Sequence, residues 1–293
     1  MDREELDLLA GTLRKTMMTT APGAALDVAL AGLGWLDMLA ESPSAAIPLV
    51  FRLLGETGTH APVINDVAGT ACLPYAGGGW VTWHREDLPG TAMELPLQRA
   101  PGPAQLPAAA LAAGRRAIGW WLLGSGRAML SLARQHALDR VQFGQPIASF
   151  QAVRHKLAET LVALDGAEAV LRAASESGPA APAAATASAA SSAPAASTAS
   201  AAPGAQGAQG ASDAEADLSA LLAKAAAGQA ALLAARHCQQ VLAGIGFTAE
   251  HELHHHVKRV LVLDGLLGSA RELTREAGRR VIAAGTAPRL VDL

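Results

Sequence analysis

Residues Glu250 to Arg259 read EHELHHHVKR, and within them His251, Glu252 and His255 spell H-E-x-x-H. On a helix that spacing sets two imidazoles one turn apart with a carboxylate beside them, the arrangement used by zinc-dependent proteases. Glu272 or Glu276 downstream could be taken as a third ligand, and the ease of finding one shows how permissive the pattern is. Two other stretches place polar side chains beside glycine turns: RVQFGQPIASFQ from Arg140 to Gln151, and QVLAGIGF from Gln240 to Phe247. Alone, RVQFGQP reads as a helix end followed by a turn, because Gly and Pro stop helices.

The elements that must hold these residues are mostly helices. Leucine, alanine and methionine recur at helical spacing from Arg3 to Met18 and from Ala25 to Ala40, with breaks at Pro22-Gly23 and Pro43, so two or three amphipathic helices are expected. Another helix spans about Ile47 to Leu54 and ends at Gly55 or Gly58. From Val63 to Pro107 the period changes, and CLPYAGGGWVTWHREDLPG predicts a small irregular or β-rich segment. Long helices follow from Ala108 to Leu138, from about Phe150 to Ala174, from Asp213 to Leu242, and from about Glu250 through Ile282. Ser175 to Ala211 holds alanine, serine, proline and glycine with nothing bulky to bury, which predicts a disordered linker. The chain therefore divides into an N-terminal helical region (1–62), a reduced middle segment (63–107) and a C-terminal helical bundle (108–293).

Composition narrows the partners. The 293 residues suffice for one large or two modest domains, and a net charge of -3 without a basic patch argues against nucleic acid. No uninterrupted apolar run reaches the ~18 residues of a membrane span. The N-terminus is acidic and lacks the basic and apolar regions of a signal peptide, so a soluble cytoplasmic protein is expected. Cys72 and Cys238 lie far apart, which gives neither a disulfide framework nor a sulfur-ligated metal.

The segment ALDRVQFGQPIASFQAVRHKLAE, Ala137 to Glu159, resembles the acyl-CoA dehydrogenase family, in which an arginine, two residues and Phe-Gly close one helix and a Gln-bearing segment opens the next. QVLAGIGF resembles the family's second motif, a glutamine before a glycine turn and an aromatic residue. The resemblance accounts for FTAEHELHHHVKR in register, as a helix start followed by a basic pair, which leaves no role for zinc; the histidines are then a partly solvated helix face. It implies a mainly α fold and an FAD cofactor. Arg140 would meet the FAD pyrophosphate or adenine, where a fixed guanidinium pairs well with phosphate; the bland alternative is a salt bridge to Asp139. Gln142, Phe143 and Gln151 would line the same cofactor, and Gln240 with Gly244 would let backbone reach it across a dimer interface.

Three departures qualify the resemblance. The second motif usually has adjacent glycines, and the first is Ala243 here, which would narrow the approach of backbone to cofactor. The position of the family's catalytic glutamate falls on Leu267, in Leu267-Gly268-Ser269, and the alternative position on the long helix falls near Arg115. Neither side chain can accept an α-proton at neutral pH. The middle segment is too short for the family's β domain. The resemblance then implies a subunit that works with a sister acyl-CoA dehydrogenase subunit carrying the glutamate, in an α2β2 heterotetramer that oxidises a bulky or branched acyl-CoA, such as a steroid side-chain thioester, and reduces an electron-transfer flavoprotein. The competing expectation is a flavin-free pseudoenzyme kept as a binding or assembly module.

Overall fold

The computed structural model describes residues 3–86, 95–102, 106–176 and 203–285. Helices α1 (Arg3–Thr19), α2 (Ala24–Gly32), α3 (Trp35–Glu41) and α4 (Pro43–Thr57) open the chain. Their boundaries fall where the backbone turns left-handed: Gly34 at φ 82 precedes α3 and Gly58 at φ 67 ends α4, conformations that only glycine adopts without steric cost. The middle segment contains a helix the sequence did not announce, α5 (Ile64–Ala68), before strands β1 (Cys72–Tyr75), β2 (Gly79–Trp83) and β3 (Leu97–Ala100). These form one antiparallel sheet in the order β1-β2-β3, with Cys72 opposite Thr82 and Trp83 opposite Leu97.

The rest is the expected bundle. It contains α6 (Ala108–Asp139), the hairpin strands β4 (Val141–Gln142) and β5 (Gln145–Pro146), α7 (Gln151–Glu176), α8 (Pro203–Leu242), α9 (Leu253–Gly265) and α10 (Ala270–Ala284). The single helix expected from Glu250 to Ile282 is in fact two, because Leu267 and Gly268 take φ 59 and 99 and Ser269 starts α10 with a reciprocal cap to Glu272. The expected linker is shorter at both ends: α7 continues through Glu176, and α8 begins at Pro203. Alanine is the best helix former, and extending an existing helix costs far less than nucleating one, so alanine-rich flanks continue the helices they adjoin. The remainder of that segment, 177–202, lies outside the described residues.

α6 is the axis of the molecule. It crosses α4 at Gly55 and Gly124, where a Cβ on either would run into the backbone of the opposite helix. Close approach lets aromatic rings fill the core beside the crossing: Trp35 meets Phe51 edge-on at 6.1 Å, Phe51 meets Trp121 at 5.8 Å, and Trp121 stacks on Trp83 at 5.7 Å between centroids. One core therefore joins the N-terminal helices, the sheet and the bundle. The segment Ala216–Phe247 is long and apolar enough to cross a membrane, but 72% of its apolar window is buried inside the protein. Its hydropathy comes from alanines packed against α6 and α7.

The small sheet also anchors a distant loop. Tyr75 forms a bridge with Leu266, the Ala76 N–H donates to the Gly265 carbonyl at 2.8 Å, and the Leu267 N–H donates to the Pro74 carbonyl at 2.8 Å. β1 thereby pins the connection between α9 and α10, which carries Leu267.

Candidate functional site

The first motif is a surface hairpin. Arg140 leaves the helical conformation at φ -79, ψ 118, and Phe143 and Gly144 follow β4 with φ 53 and 80. Two successive left-handed residues make the tight turn that suits a two-residue hairpin, and for a phenylalanine that conformation costs roughly 1–2 kcal/mol. Phe143 is 92% exposed, with only its edge against Phe150. Arg140, Gln142 and Gln151 are exposed as well. Asp139 accepts from the Gln135 amide at 2.9 and 3.0 Å, and no ion pair to Arg140 forms among the described residues, so the salt-bridge alternative fails. Gln151 begins α7 and, with Arg154, His155 and Ala158, lines a cleft of about 520 Å³.

The second motif ends α8. Gln240 is exposed, and with Lys156, Arg236, His237 and Phe247 it borders another cleft of about 400 Å³. Nothing stands within 4 Å of the place a Cβ on Gly244 would occupy, so no contact within this chain demands glycine there. Ala243 takes φ 52. Its departure from glycine therefore strains its own backbone. The clefts at Gln151 and Gln240 share no lining residue, so one chain does not bring the two glutamines into a single cavity.

The two candidate base positions do meet. Leu267 is 1% exposed, and Arg115 on α6 donates from Nε to its carbonyl at 3.3 Å. Arg115 Nη1 also pairs with Asp217 Oδ1 at 3.2 Å, and Asp217 Oδ2 pairs with Arg280 at 2.5 Å. Burial lowers the Arg115 pKa, and Asp217 opposes that shift. Lys224 is wholly buried and donates to the carbonyls of Asp264, at 2.9 Å, and of Gly268. Desolvation brings its pKa down to about 7 despite the opposing charge of Asp264. Glu272 accepts from the backbone of Ser269 at 3.0 Å and Gly77 at 2.8 Å, bonds that hold its pKa below the usual carboxylate value. The loop is thus fixed by β1, Arg115, Lys224 and Glu272, and the base position itself holds an aliphatic side chain. Asp217 and Lys224 were not found by sequence reasoning, since each sits in an alanine-leucine helix without a motif around it.

The histidine stretch has another role. His251 and Glu252 precede α9, so H-E-x-x-H does not lie on one helix. The His251 Nδ1 accepts from the Leu253 N–H at 3.1 Å, and Glu276 pairs with Arg279 and Arg280. No group of three His, Cys, Asp or Glu residues suited to a metal occurs among the described residues. His256 is buried against Gly58 rather than solvated, and burial followed by the Arg259 charge lowers its pKa to about 4. Arg259 donates to the carbonyls of Gly58 and of Thr59, at 3.0 Å for the latter, which satisfies the end of α4. The stretch docks α9 onto α4.

Among the described residues the non-glycine positions with positive φ are Phe143, Ala243 and Leu267. They fall on the first motif, the second motif and the base position. Strained backbone persists where the surroundings or a function over-determine it.

The helical bundle with its small sheet has the fold of the acyl-CoA dehydrogenases. Residues 105–222 match the acyl-CoA dehydrogenase C-terminal domain. Acyl-CoA dehydrogenase IpdE2 of Mycobacterium tuberculosis is 31% identical over 180 residues, 61% of this chain and 43% of that protein. The ChsE4-ChsE5 complex from Mycobacterium tuberculosis aligns with a TM-score of 0.65 at 15% identity over 99% of each chain. A glutaryl-CoA dehydrogenase from Mycobacterium smegmatis in complex with FADH2 aligns with a TM-score of 0.62 at 15% identity, over 99% of this chain and 97% of that one. The chain belongs to the acyl-CoA dehydrogenase family. It spans less than half the length of the curated relatives it matches.

Proposed function

We propose that the chain is the subunit without the base in a heteromeric, cytoplasmic, FAD-dependent acyl-CoA dehydrogenase whose sister subunit supplies the catalytic glutamate. The observation that carries this reading is the contrast at the three strained turns: Leu267 closes the base position, whereas Phe143 and Gly244 face outward, away from the body of their own chain. FAD, when bound, would accept the β-hydrogen of the acyl thioester as hydride. Arg140 would pair with the pyrophosphate or adenine, Gln142, Phe143 and Gln151 would line that cofactor, and Gln240 and Gly244 would approach it across the interface. These exposed groups fit a cofactor shared between chains, since neither cleft beside them encloses one alone. The sister's carboxylate would take the α-proton, giving a trans-2-enoyl-CoA, with an electron-transfer flavoprotein reoxidising the flavin. The solved ChsE4-ChsE5 pair supports a two-subunit arrangement, and a bulky or branched acyl group such as a steroid side chain is the substrate class we favour.

The second reading, a flavin-free assembly module, draws on the filled base position and the strain at Ala243. It leaves the exposed Arg140 and Phe143 without a purpose. Co-expression separates the two. Alone, the chain is expected to be colourless and inactive on acyl-CoA thioesters, and with its sister it should give a yellow complex that reduces a dye. In that complex Arg140→Ala should weaken FAD about ten- to hundred-fold, the loss of one charged hydrogen bond to phosphate. Unchanged FAD affinity in the variant would remove the cofactor assignment, and full activity of the lone chain would remove the sister.

A further inference from the structure

Arg116 follows Arg115 on α6 but lies about 100° further round the helix. It is 7% exposed, its Nη1 is buried without an acceptor, and it has no ion pair among the described residues. One turn on, the Trp120 indole Nε1 is in the same condition. Both side chains line a cavity of about 870 Å³ between α1, α4, α6 and the end of α7. Guanidinium and indole N–H groups can only donate. Two orphan donors on one face of a helix, at one cavity, therefore lack an acceptor, and a buried cation without a counter-ion is among the least tolerated groups in a protein. Arg52 on the same wall adds a third buried donor, its Nε loosely opposite Glu56 at 3.5 Å.

Nearby carboxylates do not fill the need. Four carboxylates line the cavity: Asp7, Glu41 and Glu176 are exposed at its rim and, among the described residues, form no ion pair with Arg116, while Glu168 is held by Arg127 at 2.9 Å and Arg172 at 2.6 Å. Residues 177–202, which follow α7, contain neither Asp nor Glu. Leu6, Ala10, Ile47 and Leu49 give the cavity an apolar side. Arg115, Leu267 and Lys224 do not line it, so it is separate from the base position.

We propose that this cavity binds an amphiphile with a single carboxylate head, its oxygens on Arg116 and Trp120 and its apolar body along α1 and α4. The size lies within the range of small-molecule pockets. The proposal does not depend on the flavin reading.

Calorimetric titration of the full chain with decanoate, decanol and inorganic phosphate tests it. Decanoate is expected to bind at one site, and decanol and phosphate are expected to give no saturable heat. Arg116→Met should weaken decanoate at least ten-fold, whereas Arg140→Ala should leave it unchanged. Trp120→Phe, which keeps the ring and deletes the N–H, should weaken it several-fold. Arg116→Met should also melt no lower than the parent without ligand, because it removes an unpaired buried charge. Absence of decanoate binding, equal binding of decanol or phosphate, or undiminished affinity in Arg116→Met would each overturn the proposal.

Discussion

Ala243 occupies φ 52 in the turn after α8, where its Cβ crowds the following carbonyl. Glycine would remove that crowding but lose more backbone entropy on folding. The first effect is the larger at a left-handed position, so Ala243→Gly should stabilise the chain by about 1 kcal/mol, measured as a raised urea midpoint at unchanged slope. A lowered midpoint would mean that the alanine methyl packs against something this chain holds in solution. At this scale the motifs were legible because Arg140, Phe143, Gly144 and Gln240 sit at fixed offsets in the sequence. Arg116 and Lys224 were not legible. Each lies in a helix rich in alanine, leucine and glycine with no motif around it, and only packing decides whether such a side chain faces solvent or core.

The loop between α9 and α10 shows what the elements add. A continuous helical pattern runs through VLVLDGLLGSARELT, and it concealed the break at Leu266 to Ser269 because leucines continue on both sides of it. Gly268 and the Ser269–Glu272 cap were the available signals. Lys224 holds this loop from below, facing Asp264, Arg115 and Glu272. Its pKa is about 7 in the folded chain, against the ordinary lysine value of 10.5 in the unfolded one, so between those values the unfolded chain binds the extra proton. Stability from this group therefore rises with pH across that window and is lost as pH falls towards 7. Buried Cys238, raised from 9.0 to about 12, pulls the other way at higher pH, so the useful range is about pH 7 to 8.5. Over that range Lys224→Met should flatten the stability–pH curve, followed by urea unfolding at fixed ionic strength. An identical slope in the variant would show that Lys224 stays charged when folded.

On the scale of the whole molecule, exposed apolar groups occur on the elements that carry the two motifs as well as on the N-terminal helices, α9 and α10. Val141 and Phe143 project from the hairpin, Ile245 and Phe247 from the turn after α8, and Val162 from α7 at 70% exposure. Gln151, His155, Ala158 and Val162 recur at helical spacing, which puts Val162 on the same outer face of α7 as the cleft at Gln151. The sequence predicted the α7 helix from about Phe150 to Ala174, but not which of its faces awaits a partner, since partner contacts leave no periodic mark of their own. If the sister subunit covers this face, a charge placed there must be desolvated without a counter-ion on assembly, a cost of several kcal/mol. Val162→Asp should then abolish co-purification with the sister. It should leave the melting temperature of the lone chain nearly unchanged, because surface substitutions away from special features act within about 0.5 kcal/mol. Val28→Asp on α2, equally exposed at 73%, is the control and should assemble normally. Loss of assembly in both variants would point to general damage from added charge, and normal assembly of Val162→Asp would move the interface off this face of α7.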